Sequence, residues 1–521
     1  MKDNYTFMTD KLIVTNSSAL LKKYGEQGFT SVEQSLSNLV VADSQKGIET
    51  KVAYIDREED MKEVSNKRVE NAFDTRANKE AIDALYNLFD PDYLVILGAP
   101  DVIPYQDIKN PLLANNSDGD DDAHAWSDLP YACDTSYSQD VSGFIGPTRV
   151  VGRIPDLVGA IEPSYLISLI KTAAEAKSRE AKDYSQFMAL SADVWKGSTR
   201  ISVGNIFSNS EDILLAPPSG PTFPQGNLKA PIHFINCHGG IANPKFYGQI
   251  GNEFPISLTT QNTVGEITEG TVAAVECCYG AELYDSVTLL IDKPICQSYL
   301  EQKSYGYFGS TTIAYGPSDT NGAADLICQY FLIHVLSGAS LGRAALMARQ
   351  QYVEGVGQMD AVDLKTLAQF YLLGDPSIHP VAKPPSTDIP TDVDIKEAER
   401  FIRAERRQNA KKIGTFLSQT KPIASKQVPV GDLSETATVV LAKIAKQAGL
   451  PEDTKITAFD VTVPATPEGV STKAKAVPSR YLIAIGTAAD GNPEEKVKRG
   501  VAVVAKELNG RIINYRIYHQ R

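Results

Sequence analysis

The segment Ile232-His233-Phe234-Ile235-Asn236-Cys237-His238-Gly239-Gly240 reads as a short buried strand that ends by delivering a histidine into a glycine turn. Val272-Ala273-Ala274-Val275-Glu276-Cys277-Cys278-Tyr279-Gly280 repeats that design with cysteines in place of the histidine. Continuous apolar runs of this length suit parallel strands covered on both faces. In an open parallel sheet, ligands bind at the carboxyl ends of the strands. Pairing of these two strands brings His238 and Cys278 out side by side on that edge. A thiol beside an imidazole is the minimum for nucleophilic cysteine chemistry, because the thiolate is the attacking species. Gly239 leaves room for a substrate backbone, and its N–H, with that of Cys278, is suited to hold an oxyanion.

Outward from this pair the chain keeps alternating strands and helices. Strands are expected at 12–15, 51–55, 93–98 and 187–192, and from Tyr305 through Gly309 to 313–315. Asn16-Ser17-Ser18 can cap a helix that runs toward Lys23. Residues 79–89 read as a helix with Ile82, Leu85, Leu88 and Phe89 on one face. Further helices are expected from near Ser198, over 322–337 and over 340–354. This order predicts an α/β protein with a mostly parallel sheet, flanked by helices and joined by right-handed crossovers. Pro384-Pro385-Ser386-Thr387-Asp388-Ile389-Pro390 is a linker by composition. Residues 395–412 read as a charged, exposed helix carrying Lys396, Arg400, Arg403, Arg406, Arg407, Lys411 and Lys412. From about 430 a small α/β unit is expected, with helices over 436–447 and 494–507 and strands over 481–485 and 512–515. The expected organisation is therefore two subdomains, 1–180 and 181–383, then a linker and charged helix over 384–429, then a small domain over 430–521.

The chain has 521 residues, 42% hydrophobic and 22% charged, which is a globular composition with room for more than one core. A net charge of −13 argues against binding nucleic acid or an anionic membrane. No apolar run approaches the ~20 residues that span a bilayer. The opening Met1-Lys2-Asp3-Asn4-Tyr5 lacks the basic region and apolar stretch of a secretory signal, so a cytoplasmic location is expected. Six irregularly spaced cysteines do not form a disulfide framework. Cys133, Cys296 and Cys328 fall in core segments.

The His-Gly and small-residue–Cys elements resemble those of the caspase–gingipain clan of cysteine peptidases, which includes legumain, clostripain and metacaspases. The gingipain branch is the most similar. Its further segments occur here in order: Tyr93–Gly98 leading to Asp101-Val102-Ile103-Pro104, then Arg149-Val150-Val151-Gly152-Arg153-Ile154-Pro155, Gly309-Ser310-Thr311 and Leu373-Gly374-Asp375-Pro376-Ser377. The resemblance spans roughly residues 10–382. It implies a caspase-like fold and a cysteine endopeptidase with a Cys278–His238 dyad acting through a thioester. Cys277 then fills the small-residue slot before the nucleophile. The position two residues before it, here Glu276, lines the specificity pocket in clan members. A carboxylate in a dry pocket favours a Lys or Arg partner; pairing with an arginine of the chain itself is the alternative. Gly197-Ser198-Thr199-Arg200 lies about where arginine-specific gingipains carry a pocket aspartate, and it contains none.

Other readings stay open at this level. Residues 115–122, Asn-Asn-Ser-Asp-Gly-Asp-Asp-Asp, form a solvated acidic loop or a calcium site built on Asp118, Asp120 and Asp122. No cofactor is required by the dyad chemistry. Zinc held by Cys237, His238, Cys277 and Cys278 is disfavoured, because adjacent residues rarely chelate one tetrahedral ion and no C-x-x-C pair exists. The expected partner is a protein or peptide substrate, with regulated, limited cleavage and a regulatory contact through the small domain. The basic 395–412 segment raises the expectation of self-cleavage in the linker. A catalytically dead, gingipain-shaped interaction module is the competing reading.

Overall fold

The computed structural model describes residues 9–64, 67–113, 120–224, 226–382, 395–429, 433–462, 479–488 and 499–521, with backbone alone over 395–400. Its centre is one ten-stranded sheet in the spatial order Thr50–Tyr54, Lys11–Thr15, Tyr93–Leu97, Val151–Ile154, Phe370–Leu373, Gly306–Ser310, Val272–Val275, Ile232–Asn236, Phe187–Ala192 and Ile213–Ala216. Every neighbouring pair is parallel except Gly306–Ser310 with Phe370–Leu373. The sheet runs without a break across residue 180, so both expected subdomains share one core layer. Strands such as Leu94–Leu97 and Val272–Val275 are wholly buried because helices cover both faces. Ser17–Gln45, Thr75–Phe89, Ser164–Glu175 and Ile295–Glu301 pack on one face through Leu36, Ile82, Leu166 and Tyr299. Ala324–Leu336, Leu341–Gly355 and Ala361–Gln369 cover the other through Phe331, Tyr352 and Leu364. Asn16 caps its helix as expected, accepting from the Ala19 N–H at 2.9 Å.

The segments that carried the resemblance outside the dyad are structural pins. Arg153 donates to Asp128 and to the carbonyls of Gly98 and Ile103, and Lys11 bridges Asp375 and Asp43. Each is a buried charge whose partners come from distant parts of the chain, as burial requires.

The small domain combines strands and a helix as expected, and departs from expectation in one element. It is an antiparallel sheet of Ile423–Val428, Ile456–Thr462, Ser479–Thr487, Gly500–Leu508 and Arg511–Gln520, with one helix, Glu435–Gln447. It begins at Ile423, inside the stretch read as linker. The helix expected over 494–507 is corrected to the strand Gly500–Leu508 where that stretch is described. Val501, Val503 and Val504 are β-branched, and the run is buried on both faces between neighbouring strands. Along Ser479–Thr487 the faces alternate. Leu482 and Ala484 meet the helix side, whereas Tyr481, Ile483 and Ile485 join the core of the large domain.

The charged helix, Ile395–Thr420, is also corrected: it is docked rather than solvated. Arg403 pairs with Asp10 and Asp92, Arg407 with Asp90 and Asp92, and Lys411 with Asp90. The acidic ends of two sheet strands attract its basic side. The Pro-rich stretch 384–390 lies outside the described residues. No helix among the described residues is long and apolar enough to cross a membrane.

Candidate active site

The histidine and cysteine strands are direct neighbours, with Val275 opposite Ile235. His238 and Cys278 therefore leave the sheet at matching positions, three residues past that pair. Adjacent residues project to opposite faces. Cys277 lies in the core that contains Cys237, while Cys278 lies in the other, against Ala314. The turn after Cys278 is strained: Tyr279 holds φ 53, rare for a bulky residue. It is held there by its N–H to the Thr312 carbonyl and by its hydroxyl to Asp122. Gly239 allows a close approach, since a Cβ there would stand 1.9 Å from the Cys278 carbonyl oxygen.

His238 is fixed by two backbone hydrogen bonds with Tyr247 and by Gln249 Oε1 at 2.7 Å from Nε2. Trp195 and Phe254 flank its ring at 4.3 and 5.0 Å between centroids. Its Nδ1 is buried without a hydrogen-bond partner. Burial holds the imidazole down at about 3 and pushes the Cys278 thiol up to about 12. Both groups are thus neutral at ordinary pH in this arrangement.

Arg521 lies against both strand ends. Its carbonyl oxygen accepts from the Cys278 N–H at 3.0 Å and from the Gly239 N–H at 3.3 Å. Its own N–H donates to the Ala314 carbonyl at 3.0 Å. Its guanidinium is fully buried and lies over Trp195, 4.4 Å from the ring centroid. Nη2 meets the Asp325 carboxylate at 3.1 Å and the Pro317 carbonyl at 2.7 Å, with Ser198 Oγ at 3.4 Å. Nε stands 3.8 Å from Glu276. Burial and the adjacent Asp325 hold the Glu276 carboxyl well above its ordinary range. Gly316 forms the pocket wall, where a Cβ would stand 2.2 Å from the guanidinium. Asn236, at the end of the histidine strand, donates to Thr199 and reaches Ser198 and Asp325, which ties the pocket to that strand.

Glu276 therefore lies in a pocket that takes an arginine, and that arginine belongs to the chain itself. The alternative reading of Glu276, a pairing with an arginine of the chain itself, is the one these contacts describe. The carboxylate that meets this arginine most closely is Asp325, outside the 197–200 segment. Its signal was a lone carboxylate at the start of the apolar helix over 322–337. Trp195, Gln249, Phe254 and Gly316 carry no motif that spacing alone reveals.

Asp120 and Asp122, two of the three calcium candidates, converge on the Lys365 ammonium at 2.5 and 3.0 Å. Asn110 and Tyr315 also donate to Asp120, and the Ile313 N–H to Asp122. Their oxygens brace the turn behind Cys278 instead of facing an open cation site. Asp118 lies outside the described residues. Among the described residues no cluster of three acidic, histidine or cysteine side chains is arranged to hold a metal.

No known family profile matches the sequence, and no curated protein matches it either. Among solved structures the chain is similar to one titled as a protease, at 14% identity and a TM-score of 0.47, over 99% of this chain and 98% of the other. It is also similar to two structures of the Saccharomyces cerevisiae separase–securin complex, at 10% identity and TM-scores of 0.26 and 0.29. Those two matches cover 44% and 60% of this chain but only 14% and 18% of the yeast chains. The molecule itself is a mixed α/β fold with a large, mostly parallel sheet and a separate antiparallel sheet near the end of the chain.

Proposed function

We propose that the protein is a cysteine endopeptidase that cleaves on the carboxyl side of arginine. Cys278 is the nucleophile and His238 the general acid and base. The reading rests on one observation: the amides of Gly239 and Cys278 meet on one carbonyl oxygen, and the residue that owns it places its guanidinium on Asp325. Two convergent N–H groups are what a tetrahedral oxyanion needs. A pocket with two acids, an aromatic floor and a glycine wall favours a flat cation over a compact ammonium.

The chemistry is acyl transfer. The Cys278 thiol gives its proton to His238 as sulfur bonds to the scissile carbonyl carbon. The carbonyl electrons move to the oxygen, which the two amides hold. They return as the C–N bond breaks, and His238 passes the proton to the leaving amine. Water then attacks the thioester with His238 as base, releasing the acid and restoring the thiol.

Peptides that differ only in the residue before the scissile bond test this reading, alongside an arginine-directed alkylating probe. Cleavage after Arg and labelling, both lost in Cys278→Ala, are expected. The competing reading, an inactive module of the same shape, requires that no variant show Cys278-dependent labelling.

A further inference from the structure

We propose that the end of the last strand is a built-in pseudosubstrate: Tyr518-His519-Gln520-Arg521 fills the acyl side of the cleft and holds the enzyme blocked until that end is displaced. The proposal rests on the peptidase reading above and names the regulation of the same site.

The main chain carries the first part of the case. Tyr315 pairs with Gln520 and Gly316 with His519 in antiparallel register. The Arg521 N–H continues the ladder to the Ala314 carbonyl, and its carbonyl oxygen ends it between the Gly239 and Cys278 amides. An extended peptide bound as an added strand uses these groups. A buried arginine with a purely structural role needs its guanidinium satisfied; it has no need to lay its own carbonyl between the amides beside a nucleophile.

The side chains carry the second part. Arg521 fills the acidic pocket, and Gln520 is buried, with Nε2 3.3 Å from the Tyr315 hydroxyl. Gly500 on the neighbouring strand makes room for Gln520, since a Cβ there would stand 2.0 Å from its Cδ. With this end seated, no carbonyl of another chain can reach the two amides. The sulfur and imidazole, cut off from water, stay as the inert thiol and neutral ring. The sheet holds the segment at high effective concentration, so a modest intrinsic affinity suffices to fill the cleft.

The test compares full-length wild type with Arg521→Ala and with Gly500→Val. The second displaces Gln520 without touching a residue that meets the guanidinium. Each is assayed with an arginyl fluorogenic peptide and a Cys278-directed arginyl alkylating probe, with thermal melts to confirm folding. Removing an arginine from a buried acidic pocket is expected to raise both rates by roughly a hundredfold or more. The free peptide Tyr-His-Gln-Arg is expected to inhibit Arg521→Ala again. Equal, Cys278-dependent rates in wild type and both variants overturn the pseudosubstrate and leave the peptidase reading standing. Absence of Cys278-dependent labelling in every folded variant overturns both.

Discussion

The two acids of the arginine pocket are not equivalent, and their inequality gives a quantitative expectation. Burial and the nearby Asp325 push the Glu276 carboxyl well above its ordinary range, and burial raises Asp325 as well, so two carboxyls compete for one guanidinium and the pair is expected to carry about one negative charge, mostly on Asp325. Asp325 stands 3.1 Å from Nη2 and Glu276 stands 3.8 Å from Nε. At an effective dielectric of about 20, a full charge attracts by roughly 5 kcal/mol at the first distance and roughly 4 at the second. Glu276→Gln replaces a neutral acid by a neutral amide and is expected to change kcat/KM for arginyl peptides by less than about threefold. Asp325→Asn removes the nearer charge and also the influence that keeps Glu276 protonated. Glu276 then ionises and takes over, so the loss is about 1 kcal/mol, or roughly fivefold. The double variant leaves the arginine with no carboxylate and is expected to lose about 3–5 kcal/mol, a hundredfold to several thousandfold. The assay is steady-state hydrolysis of arginyl against norleucyl peptides, all in the unblocked Arg521→Ala background. Strictly additive losses, or a Glu276→Gln effect larger than that of Asp325→Asn, would refute this account of shared charge.

Gly316→Val places a side chain where the guanidinium runs, and is expected to cut arginyl hydrolysis more than tenfold. Alkylation of Cys278 by iodoacetamide should persist or rise, because the same change expels Arg521. Lys365→Met strands Asp120 and Asp122 without their cation in the core and should cost about 3–5 kcal/mol in a denaturant melt. An unchanged melt would show that the two carboxylates are neutral there. Acid should loosen the pseudosubstrate. Burial holds His238 at about 3 and His519 at about 4 while the end is seated, with Arg521, Arg499, Gln249 and, opposing the shift at His519, Asp319 as the groups facing them and each other. Released imidazoles titrate near 6.5, so below that pH only the released state takes the proton, and each histidine favours release by up to about 1.4 kcal/mol per pH unit. Departure of Arg521 also makes Asp325 easier to protonate, which acts in the same direction. Hydrogen exchange over residues 518–521 should therefore speed up from pH 7 to pH 5 beyond its intrinsic change; equal protection would count against it.

The sheet, and the placing of His238 and Cys278 at the ends of neighbouring strands, were legible because they depend on local pattern. Ile232–Asn236 and Val272–Val275 are short apolar runs that tolerate no other placement, and strand alternation alone separates Cys277 from Cys278. The pocket was only half legible. Glu276 follows from its distance to Cys278 along one strand, whereas Asp325 arrives from a helix after a long sequence gap. A lone acid at a helix start also reads as an ordinary first-turn charge. The run Gly500–Leu508 was misread because uninterrupted apolar residues carry neither the helical nor the strand period, so burial on both faces erased the signal. The docked Ile395–Thr420 helix was misread for the opposite reason. Its basic side looks solvated until Asp10, Asp90 and Asp92 are brought together by strand ends far apart in the chain.

How the block is released follows from how the small domain is mounted. Tyr481, Ile483, Ile485 and Val504 turn toward the large domain and share its core. Exposing the three aliphatic side chains alone would cost on the order of 5–9 kcal/mol by area, before the ion pairs of Arg516 with Asp360 and Asp363 are counted. Lifting the whole domain away is therefore the expensive route. By contrast, the last strand beyond Tyr518 is held to the large domain through a two-residue pairing, one arginine and a few backbone hydrogen bonds. Strand ends fray at a small fraction of the global unfolding free energy. The sheet should then stay docked while the last residues peel back from Gly316, so that a competing arginyl peptide and the built-in one exchange along the same Tyr315–Gly316 edge. A disulfide engineered between the two domains is expected to leave the Arg521→Ala activation intact; loss of that activation would mean that the whole domain has to move.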